Sequence, residues 1–410
     1  MQAEVISIGD ELTSGQRLDT NSQWLSERLE EIGIRVMFHT TVGDDLTANV
    51  RVFHEATNRA DIVVSTGGLG PTADDLTRFA IAEMSGRELV LDEKVLKHIR
   101  ARFRLRRRAM PESNVVQARF PSGSRVIPNP HGTAPGIDMD IARSDNSRSR
   151  VFALPGVPVE MREMWEETVR PGLEALPGRR QQVIRHRRIK CFGVGESDLE
   201  QMLPDLIRRG RQPSVGITVS EATITLRITA AAESAEACFA SMEPTIQTIH
   251  DSLGDLVFGE EDDELSHAVA RLLAERKQTV ALAEYGTGGL VARWLSETPE
   301  AESVFRGGIV LDSSQSAARI LQASSDNDEN ALLTATAKQV RKMFCSDFAV
   351  VTGRFPNDKS QPDNVEFAVI GPSHEVLKSI PTLGHPEILK PRSAKLALNF
   401  LRLAVLDRLD

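Results

Sequence analysis

Glycine-rich and acidic residues meet in the segment STGGLGPTADDLT, residues 65–77, which holds Gly67, Gly68, Gly70, Asp74 and Asp75. Glycines in such a turn let backbone N–H groups approach a phosphate, and a helix that begins after the turn attracts anions. Bare carboxylates repel phosphate, whereas a divalent cation held between them reverses the sign. The segment therefore predicts either metal-assisted chemistry at a phosphoanhydride or, as the alternative, carboxylates that only cap a helix.

Two further acidic turns, Gly9–Asp10–Glu11 and Gly43–Asp44–Asp45, follow apolar runs that predict strands. Ligands of parallel sheets bind beyond the carboxyl ends of the strands, so we expect all three turns at one edge. Which carboxylate binds metal and which acts as base stays open. The predicted catalytic residues are Asp10, Glu11, Asp44, Asp74 and Asp75, with Asp74 and Asp75 as metal ligands. The predicted backbone contacts to substrate are Gly67, Gly68, Gly70 and Thr72.

The elements that position these turns alternate between strand and helix patterns over the first part of the chain. EVISIG, IRVMFHTTVG and DIVVST predict strands, and amphipathic segments between them predict helices, so we expect βαβ units and a parallel sheet. A strand, helix, strand, strand, helix pattern over 183–259 predicts a small α+β module. A further α/β pattern begins at residue 262. The predicted domains are 1–175, 182–259 and 262–410.

The composition is that of an ordinary globular protein, with 40% hydrophobic and 26% charged residues. The formal net charge of −9 argues against a general nucleic-acid binder. The basic run from Arg100 to Met110 predicts a solvated helix, with a phosphate-facing role as the minor alternative.

The cysteines Cys191, Cys238 and Cys345 are far apart and form no CxxC pair. They predict neither a disulfide framework nor a zinc site, as expected in a reducing cytosol. No apolar run has the length of about 20 residues that a membrane helix requires. We therefore expect a soluble, cytoplasmic protein without a membrane partner.

A resemblance to a known family rests on motifs in the first domain. IGDEL, DTNSQWL, VGDD, STGGLGPTADDLT, NPHGTAPG and ALPGVPVEM occur in this order between Ile8 and Met161. They resemble the N-terminal domain of the CinA family, whose fold is similar to the molybdopterin-binding MoaB and Mog proteins. The resemblance implies a three-layer α/β domain. It also implies an ADP-ribose pyrophosphatase that releases AMP and ribose 5-phosphate, with a divalent metal ion (Co²⁺ or Mg²⁺) and K⁺ as an optional second ion.

The same motifs imply further substrate-binding residues. Asn129, Gly132 and Thr133 of NPHGTAPG are predicted to shape the substrate pocket, with a structural turn as the rival interpretation. Gly156 of ALPGVPVEM is a predicted substrate contact. Glu160 either caps a helix or takes part in catalysis, and both interpretations stay open.

The later parts of the chain resemble the other CinA domains. Residues 182–259 are similar to the KH-type middle domain, but FGVGES is not a GXXG loop and predicts no RNA binding. The C-terminal domain resembles a nicotinamide-mononucleotide (NMN) amidohydrolase whose active members supply a nucleophilic Ser and an activating Lys. Tyr285 stands at the Ser position, Gly286 replaces a Cys and Ala317 replaces the Lys. We therefore predict that deamidase activity is lost. Thr287, Gly288 and Gly289 are retained, either for ligand contact or for packing.

Three functional hypotheses follow. The leading one is a pyrophosphatase that acts on a small-molecule nucleotide and does not bind nucleic acid directly. The second is a nucleotide- or molybdopterin-binding protein without turnover. The third is a scaffold linked to competence or DNA damage, which the family name suggests but no residue demonstrates. The resemblance makes a homodimer the expected assembly.

Overall fold

The computed structural model describes residues 1–176, 182–208, 210–312, 316, 329–355, 364–381 and 385–409. The chain divides into two compact units. The first contains Met1–Arg185 with Ala231–Cys238, and the second contains His186–Ala230 with Phe239–Asp410.

The first unit is built on a mixed sheet. Its strands are β1 (Gln2–Ile8), β2 (Arg35–Val42), β3 (Ile62–Thr66), β4 (Leu89–Leu91), β5 (Arg119–Pro121), β6 (Arg125–Ile127), β7 (Gly136–Ala142) and β8 (Arg148–Leu154). Six of them form one sheet in the order β2-β1-β3-β8-β7-β6, while β4 and β5 form a separate two-stranded ribbon.

The four neighbouring strands β2, β1, β3 and β8 are parallel, as the sequence predicts. Their carboxyl ends at Val42, Ile8, Thr66 and Leu154 therefore meet at one edge of the sheet. The three acidic turns follow β1, β2 and β3 at this edge. The strands β7 and β6 complete the sheet in antiparallel fashion.

Helices cover both faces of this sheet. They are α1 (Asp10–Thr13), α2 (Thr20–Glu31), α3 (Leu46–Arg59), α4 (Thr77–Met84), α5 (Glu93–Leu105), α6 (Pro158–Met164) and α7 (Arg170–Glu174). Asp19, Asp45 and Asp92 cap α2, α3 and α5 by accepting first-turn N–H groups. A 3₁₀ turn spans Glu112–Ala118, and a π-helical turn spans Trp165–Val169.

Two hydrophobic clusters pack on the two sides of the sheet. Successive strand residues point to opposite faces, so Val5 and Val64 join the cluster around Trp165, while Ile6 and Val63 join the cluster around Phe53. Helix, sheet and helix therefore form three layers, in agreement with the predicted α/β class.

The middle module lies mostly in the second unit. Its elements are β9 (Val183–Cys191), α8 (Glu196–Met202), β10 (Ser214–Ser220), β11 (Thr223–Ala232), α9 (Ala235–Leu253) and β12 (Val257–Glu260). The sheet order is β10-β11-β9-β12. The predicted sequence of strand, helix, strand, strand and helix is confirmed, and β12 is an additional strand.

The C-terminal part of the second unit is again α/β. It contains α10 (Leu265–Glu275), β13 (Val280–Glu284), α11 (Leu290–Ser296), α12 (Ala301–Val304), β14 (Phe305–Val310), α13 (Glu329–Met343), β15 (Phe348–Thr352), β16 (Asn364–Ile370), β17 (Glu375–Pro381) and α14 (Pro386–Val405). Its sheet has the order β14-β13-β15-β16-β17, with β14, β13 and β15 parallel.

Buried polar contacts join the middle module to the C-terminal part. Lys395 is 5% exposed and its Nζ donates to Thr223 Oγ1 at 2.8 Å. Arg402 Nη1 donates to the Val257 carbonyl at 3.2 Å. The predicted domains 182–259 and 262–410 therefore lie largely within one compact unit. Among the described helices, none is both long and apolar enough to cross a membrane.

Candidate functional site

A cleft of about 570 Å³ opens where β1, β3 and β8 end. It brings together many of the predicted site residues: Glu11, Asp44, Gly67, Gly68, Gly70, Asp74, Asp75, Thr133 and Gly156. The remaining four do not line the cleft: Asp10, Thr72 and Asn129 bond to lining residues, and Gly132 bonds to Asn129. The predicted convergence of the acidic turns with the glycine-rich turn is therefore present in the structure.

The acidic turns after β1 and β2 bond to each other. The Asp44 backbone N–H donates to Asp10 Oδ1, and the Asp10 N–H donates to Asp44 Oδ2, both at 3.0 Å. Burial raises the pKa of the Asp44 carboxyl, and the charges of Asp10, Asp74 and Glu11 raise it further, although the Asp10 N–H opposes them. The edge therefore concentrates negative charge that a cation would stabilise.

Asp74 and Asp75 have different surroundings although they are adjacent. Asp74 is exposed, and the Thr72 hydroxyl and its own backbone N–H lower its carboxyl pKa, so that it stays ionised. Asp75 Oδ1 accepts the Gly70 N–H at 2.7 Å, and its Oδ2 accepts the Thr72 N–H at 2.9 Å and the Thr72 hydroxyl. Asp75 therefore braces the turn, as in the capping alternative, while metal ligation by Asp75 stays a prediction.

The same bonds change the predicted phosphate cradle. The N–H groups of Gly70 and Thr72 point to Asp75, and the Gly67 N–H donates to the Leu154 carbonyl at 3.0 Å. Within the described part of the chain, the Gly68 and Leu69 N–H groups have no acceptor. The N–H groups of Gly67, Gly70 and Thr72 are therefore already bonded within the chain, and Gly68 and Leu69 carry the N–H groups that are left to bind a ligand.

Gly67 and Gly68 are required by the backbone itself. Their φ angles are +108° and +63°, in the region that favours glycine. A Cβ on Gly67 would lie 2.2 Å from the Ile8 carbonyl oxygen, and one on Gly68 would lie 2.3 Å from Thr77 Oγ1. The close approach between the end of β1 and the turn after β3 therefore depends on Gly67, and the packing of the turn against the start of α4 depends on Gly68.

A buried arginine forms hydrogen bonds with carbonyl groups of the glycine-rich turn. Arg78 is 1% exposed, and its guanidinium donates to the Leu69 carbonyl at 2.8 Å and the Gly70 carbonyl at 3.2 Å. Burial lowers its pKa to about 10, so the group remains protonated at neutral pH. This fixed positive charge beneath the turn favours an anion above it.

The NPHGTAPG segment is braced rather than open. Asn129 Oδ1 accepts the Gly132 N–H at 2.7 Å, and its Nδ2 donates to Glu160 Oε2 at 2.7 Å and to the Ala134 carbonyl at 3.0 Å. A Cβ on Gly132 would lie 2.3 Å from Glu160 Oε2. Asn129 and Gly132 therefore hold the wall in place, which favours the structural-turn interpretation, and only Thr133 of the three predicted residues lines the cleft.

Polar residues that were not predicted also line the cleft or the small cavity beside it, among them Arg17, Asn21 and Gln117. Arg17 lines the main cleft and a small adjoining cavity of about 30 Å³. Asn21 Nδ2 donates to Thr66 Oγ1 at 3.1 Å and to the Gly156 carbonyl at 3.0 Å. Gln117 Nε2 donates to the Leu69 carbonyl at 3.4 Å. The DTNSQWL motif was a signal for Asn21, whereas nothing in the local pattern marked Arg17 or Gln117.

The donor set bears on the predicted metal ion. Across the described residues, no group of three or more His, Cys, Asp or Glu side chains is placed to hold a metal on its own. The carboxylates of Asp10, Glu11, Asp44 and Asp74 are hard oxygen donors. Mg²⁺ is commonly bound through one or two carboxylates plus water and substrate phosphate oxygens, so the edge fits a cation that arrives with its substrate.

The glycine-rich turn of the C-terminal part is closed by its own side chains. The buried Glu284 carboxylate accepts the N–H groups of Gly289, Val291 and Ala292 at 2.7–3.1 Å. It also accepts the Thr287 hydroxyl at 2.6 Å, and Thr287 is fully buried. The N-terminus of α11 is therefore already neutralised, and the packing alternative applies to Thr287.

The position of the relatives' nucleophile is filled by a packed ring. Tyr285 is 9% exposed and belongs to a hydrophobic cluster with Leu311 and Leu333. A Cβ on Gly286 would meet the Gly353 carbonyl oxygen and the Phe355 ring at 3.0 Å, which leaves little room for a side chain. Ala317, at the Lys position, lies outside the described residues.

Comparison with known proteins agrees with this architecture. Residues 4–175 match a probable molybdopterin binding domain, residues 186–259 match the damage-inducible protein CinA KH domain, and residues 262–405 match the CinA C-terminal domain. A putative competence-damage inducible protein of Caldicellulosiruptor bescii is 36% identical over 99% of this chain and 100% of its own length. The chain belongs to the CinA family.

Other similar proteins and solved structures cover parts of the chain. A CinA-like protein of Dictyoglomus thermophilum is 40% identical over 76% of this chain and 74% of its own. The crystal structure of the CinA protein of Thermoplasma acidophilum is 34% identical and covers 42% of this chain and 96% of its own, with a TM-score of 0.38. The MoaB protein of Pyrococcus furiosus, named as tungsten cofactor synthesizing, is 22% identical over 42% of this chain and 94% of its own, with a TM-score of 0.29.

Proposed function

We propose that the first unit hydrolyses the phosphoanhydride of a nucleotide diphosphate such as ADP-ribose, giving AMP and ribose 5-phosphate. The observation that carries the proposal is the Asp44 carboxyl, which lines the cleft among the charges of Asp10, Asp74 and Glu11. A cleft that concentrates carboxylates beside free backbone N–H groups suits a substrate whose phosphates bring a cation with them.

Different residues of the cleft bind the phosphates and accept the proton of the attacking water. The Gly68 and Leu69 N–H groups donate to phosphate oxygens, and the Arg78 charge beneath them favours the anion. A divalent cation, when bound, neutralises phosphate charge and makes water a stronger nucleophile. Asp44, whose carboxyl lines the cleft, accepts the proton that this water loses. Water oxygen bonds to one phosphorus, and the bridging oxygen leaves on the other phosphate.

The proposal is tested with the purified full chain, ADP-ribose and Mg²⁺ or Co²⁺, with products separated by anion-exchange chromatography. We expect AMP and ribose 5-phosphate in equal amounts, and no products when EDTA replaces the metal. The absence of AMP with either metal would reject the enzymatic function. K⁺ is added in a parallel series, and a higher rate with K⁺ would identify it as a second ion.

A second candidate is ligand binding without turnover. It is favoured by the match of residues 4–175 to a probable molybdopterin binding domain. Tight binding of molybdopterin or its adenylate, together with no AMP from ADP-ribose, would support this candidate. A role as a competence- or damage-linked scaffold remains the third candidate, and no described contact favours it.

We also propose that the second unit lacks NMN deamidase activity. The support is the packed Tyr285 ring, the confined position of Gly286 and the neutralised N-terminus of α11. A serine nucleophile requires a base that removes its proton, and the sequence places Ala317 where the relatives have that lysine.

A further inference from the structure

The cleft contains one arginine side chain, Arg17, whose positive charge is not paired with a carboxylate among the described residues. The carboxylates that line the cleft are Glu11, Asp44, Asp74, Asp75 and Glu160. Arg17 is the sole Lys or Arg among the described lining residues. An exposed arginine among so many carboxylates is expected to form an ion pair, yet the Arg17 guanidinium has no hydrogen bond or ion pair with any described residue.

Three of the five carboxylates that line the cleft accept hydrogen bonds from residues other than Arg17. Asp75 is bonded to the glycine-rich turn, and Glu160 accepts from Asn129. Asp44 accepts the Asp10 N–H. The Glu11 carboxylate lies over Gly9, where a Cβ would be 2.6 Å from Glu11 Oε2. Within the described chain, none of these carboxylates forms a hydrogen bond or ion pair with the Arg17 guanidinium.

The backbone on both sides of Arg17 is fixed. The Arg17 N–H donates to the Glu11 carbonyl at 3.0 Å, which ties the loop to α1. Two residues later Asp19 accepts the Ser22 N–H at 2.9 Å and caps α2. The guanidinium is therefore presented from an anchored loop, at the junction of the main cleft and the small adjoining cavity.

We propose that Arg17 is a phosphate-binding residue of the cleft and sets its preference for substrates with a negatively charged phosphate. Its planar guanidinium matches two phosphate oxygens at once, which an ammonium cannot do. Its positive charge reduces the repulsion between the substrate phosphates and the carboxylates of the cleft. The expected effect of Arg17 on ADP-ribose turnover rests on the proposed function, whereas its expected effect on phosphate binding does not.

The test compares Arg17→Gln and Arg17→Lys with Arg35→Gln in the full chain. Arg35 is also exposed, but it begins β2 at the opposite end of the strands from the cleft. Binding of AMP, pyrophosphate and uncharged adenosine is measured by calorimetry without metal. We expect Arg17→Gln to weaken AMP and pyrophosphate binding about tenfold, Arg17→Lys to weaken it less, and adenosine binding to stay unchanged.

Turnover of ADP-ribose adds a second readout. Arg17→Gln is expected to raise KM about tenfold and leave kcat within about twofold, because the contact is made in the bound ground state as well. If AMP binding depends on Arg17 but no variant hydrolyses ADP-ribose, the phosphate site stands and the proposed function fails. Equal AMP and pyrophosphate affinity in Arg17→Gln and Arg35→Gln, or no binding by the unmodified chain, would overturn the inference.

Discussion

Asp10 and Asp44 exchange hydrogen bonds between side chain and backbone, each carboxylate accepting the other residue's N–H at 3.0 Å. The exchange links the turns after β1 and β2 and brings two like charges together. Each carboxylate keeps one oxygen without a partner among the described residues. The edge is therefore both rigid and electrostatically unfavourable until a cation is present.

Asp44→Asn should stabilise the metal-free protein at neutral pH. The raised pKa means that the folded state binds the Asp44 proton more tightly than the unfolded chain. The stability gained by protonation is complete below the ordinary pKa of 3.8 and is lost as pH rises through the raised pKa. We expect the variant to gain less than about 1 kcal/mol in the free energy of unfolding at pH 7, and the gain to vanish toward pH 3.8.

Urea unfolding across this pH range measures the effect, with Asp145→Asn as control. Hydrogen bonds from Ser147 lower the pKa of Asp145, so its carboxylate contributes stability above the ordinary value and loses it as pH falls. The two variants should therefore shift stability in opposite directions at pH 7. An Asp44→Asn protein that is less stable than the unmodified chain at every pH would contradict the account of charge repulsion.

Asp75→Ala should lower stability, whereas Asp74→Ala should not. The first change removes the acceptor of the Gly70 and Thr72 N–H groups and should cost about 1–3 kcal/mol in the free energy of unfolding. Asp74 is exposed and has no such bracing role. Denaturant midpoints of both variants check the difference, and equal midpoints would show that Asp75 does not hold the turn.

Gly67→Ala should destabilise the first unit by more than about 1 kcal/mol, since it combines a left-handed backbone with a Cβ 2.2 Å from the Ile8 carbonyl oxygen. Gly15→Ala is the matched control, because its φ is also positive at +73° but nothing lies within 4 Å of the added Cβ. Thermal unfolding separates backbone strain, common to both, from the clash at Gly67. A larger loss for Gly15→Ala would refute the proposed close approach.

The full chain should release no ammonia from NMN above the level without protein. Tyr285→Ser alone should not restore release, because Ala317 supplies no base that could remove the serine proton. A coupled ammonia assay on both proteins gives the answer. Ammonia release by the unmodified chain that scales with protein concentration would contradict the predicted loss.

The sheet edge was predictable because strand and helix periods in the sequence are strong and the turns follow directly after strands. Asp10, Asp44 and Gly67 could be assigned to one edge from the parallel topology alone. The separate roles of Asp74 and Asp75 could not be predicted, because they depend on which of the two carboxylates accepts the Gly70 N–H. Adjacent residues of the same type carry no sequence signal for that choice.

The positions of Arg17 and Arg78 at the site could not be predicted from the sequence for a second reason. Arg78 lies on α4 and looks like a surface residue in the pattern, yet the turn carbonyls bind it in the core. Arg17 belongs to no periodic element, and its proposed role rests on its position in the folded chain among carboxylates from several turns. Long-range hydrogen bonds of this kind are properties of the folded chain.

The dependence of AMP release on Mg²⁺ in the unmodified chain and in Asp74→Asn tests the central claim most directly. If the carboxylates at this edge hold the cation that hydrolysis requires, release from ADP-ribose rises to saturation with Mg²⁺ in the unmodified chain. Asp74→Asn then needs about tenfold more Mg²⁺ or shows no activity. Identical Mg²⁺ dependence in the two proteins, or AMP release that EDTA does not stop, would contradict the claim.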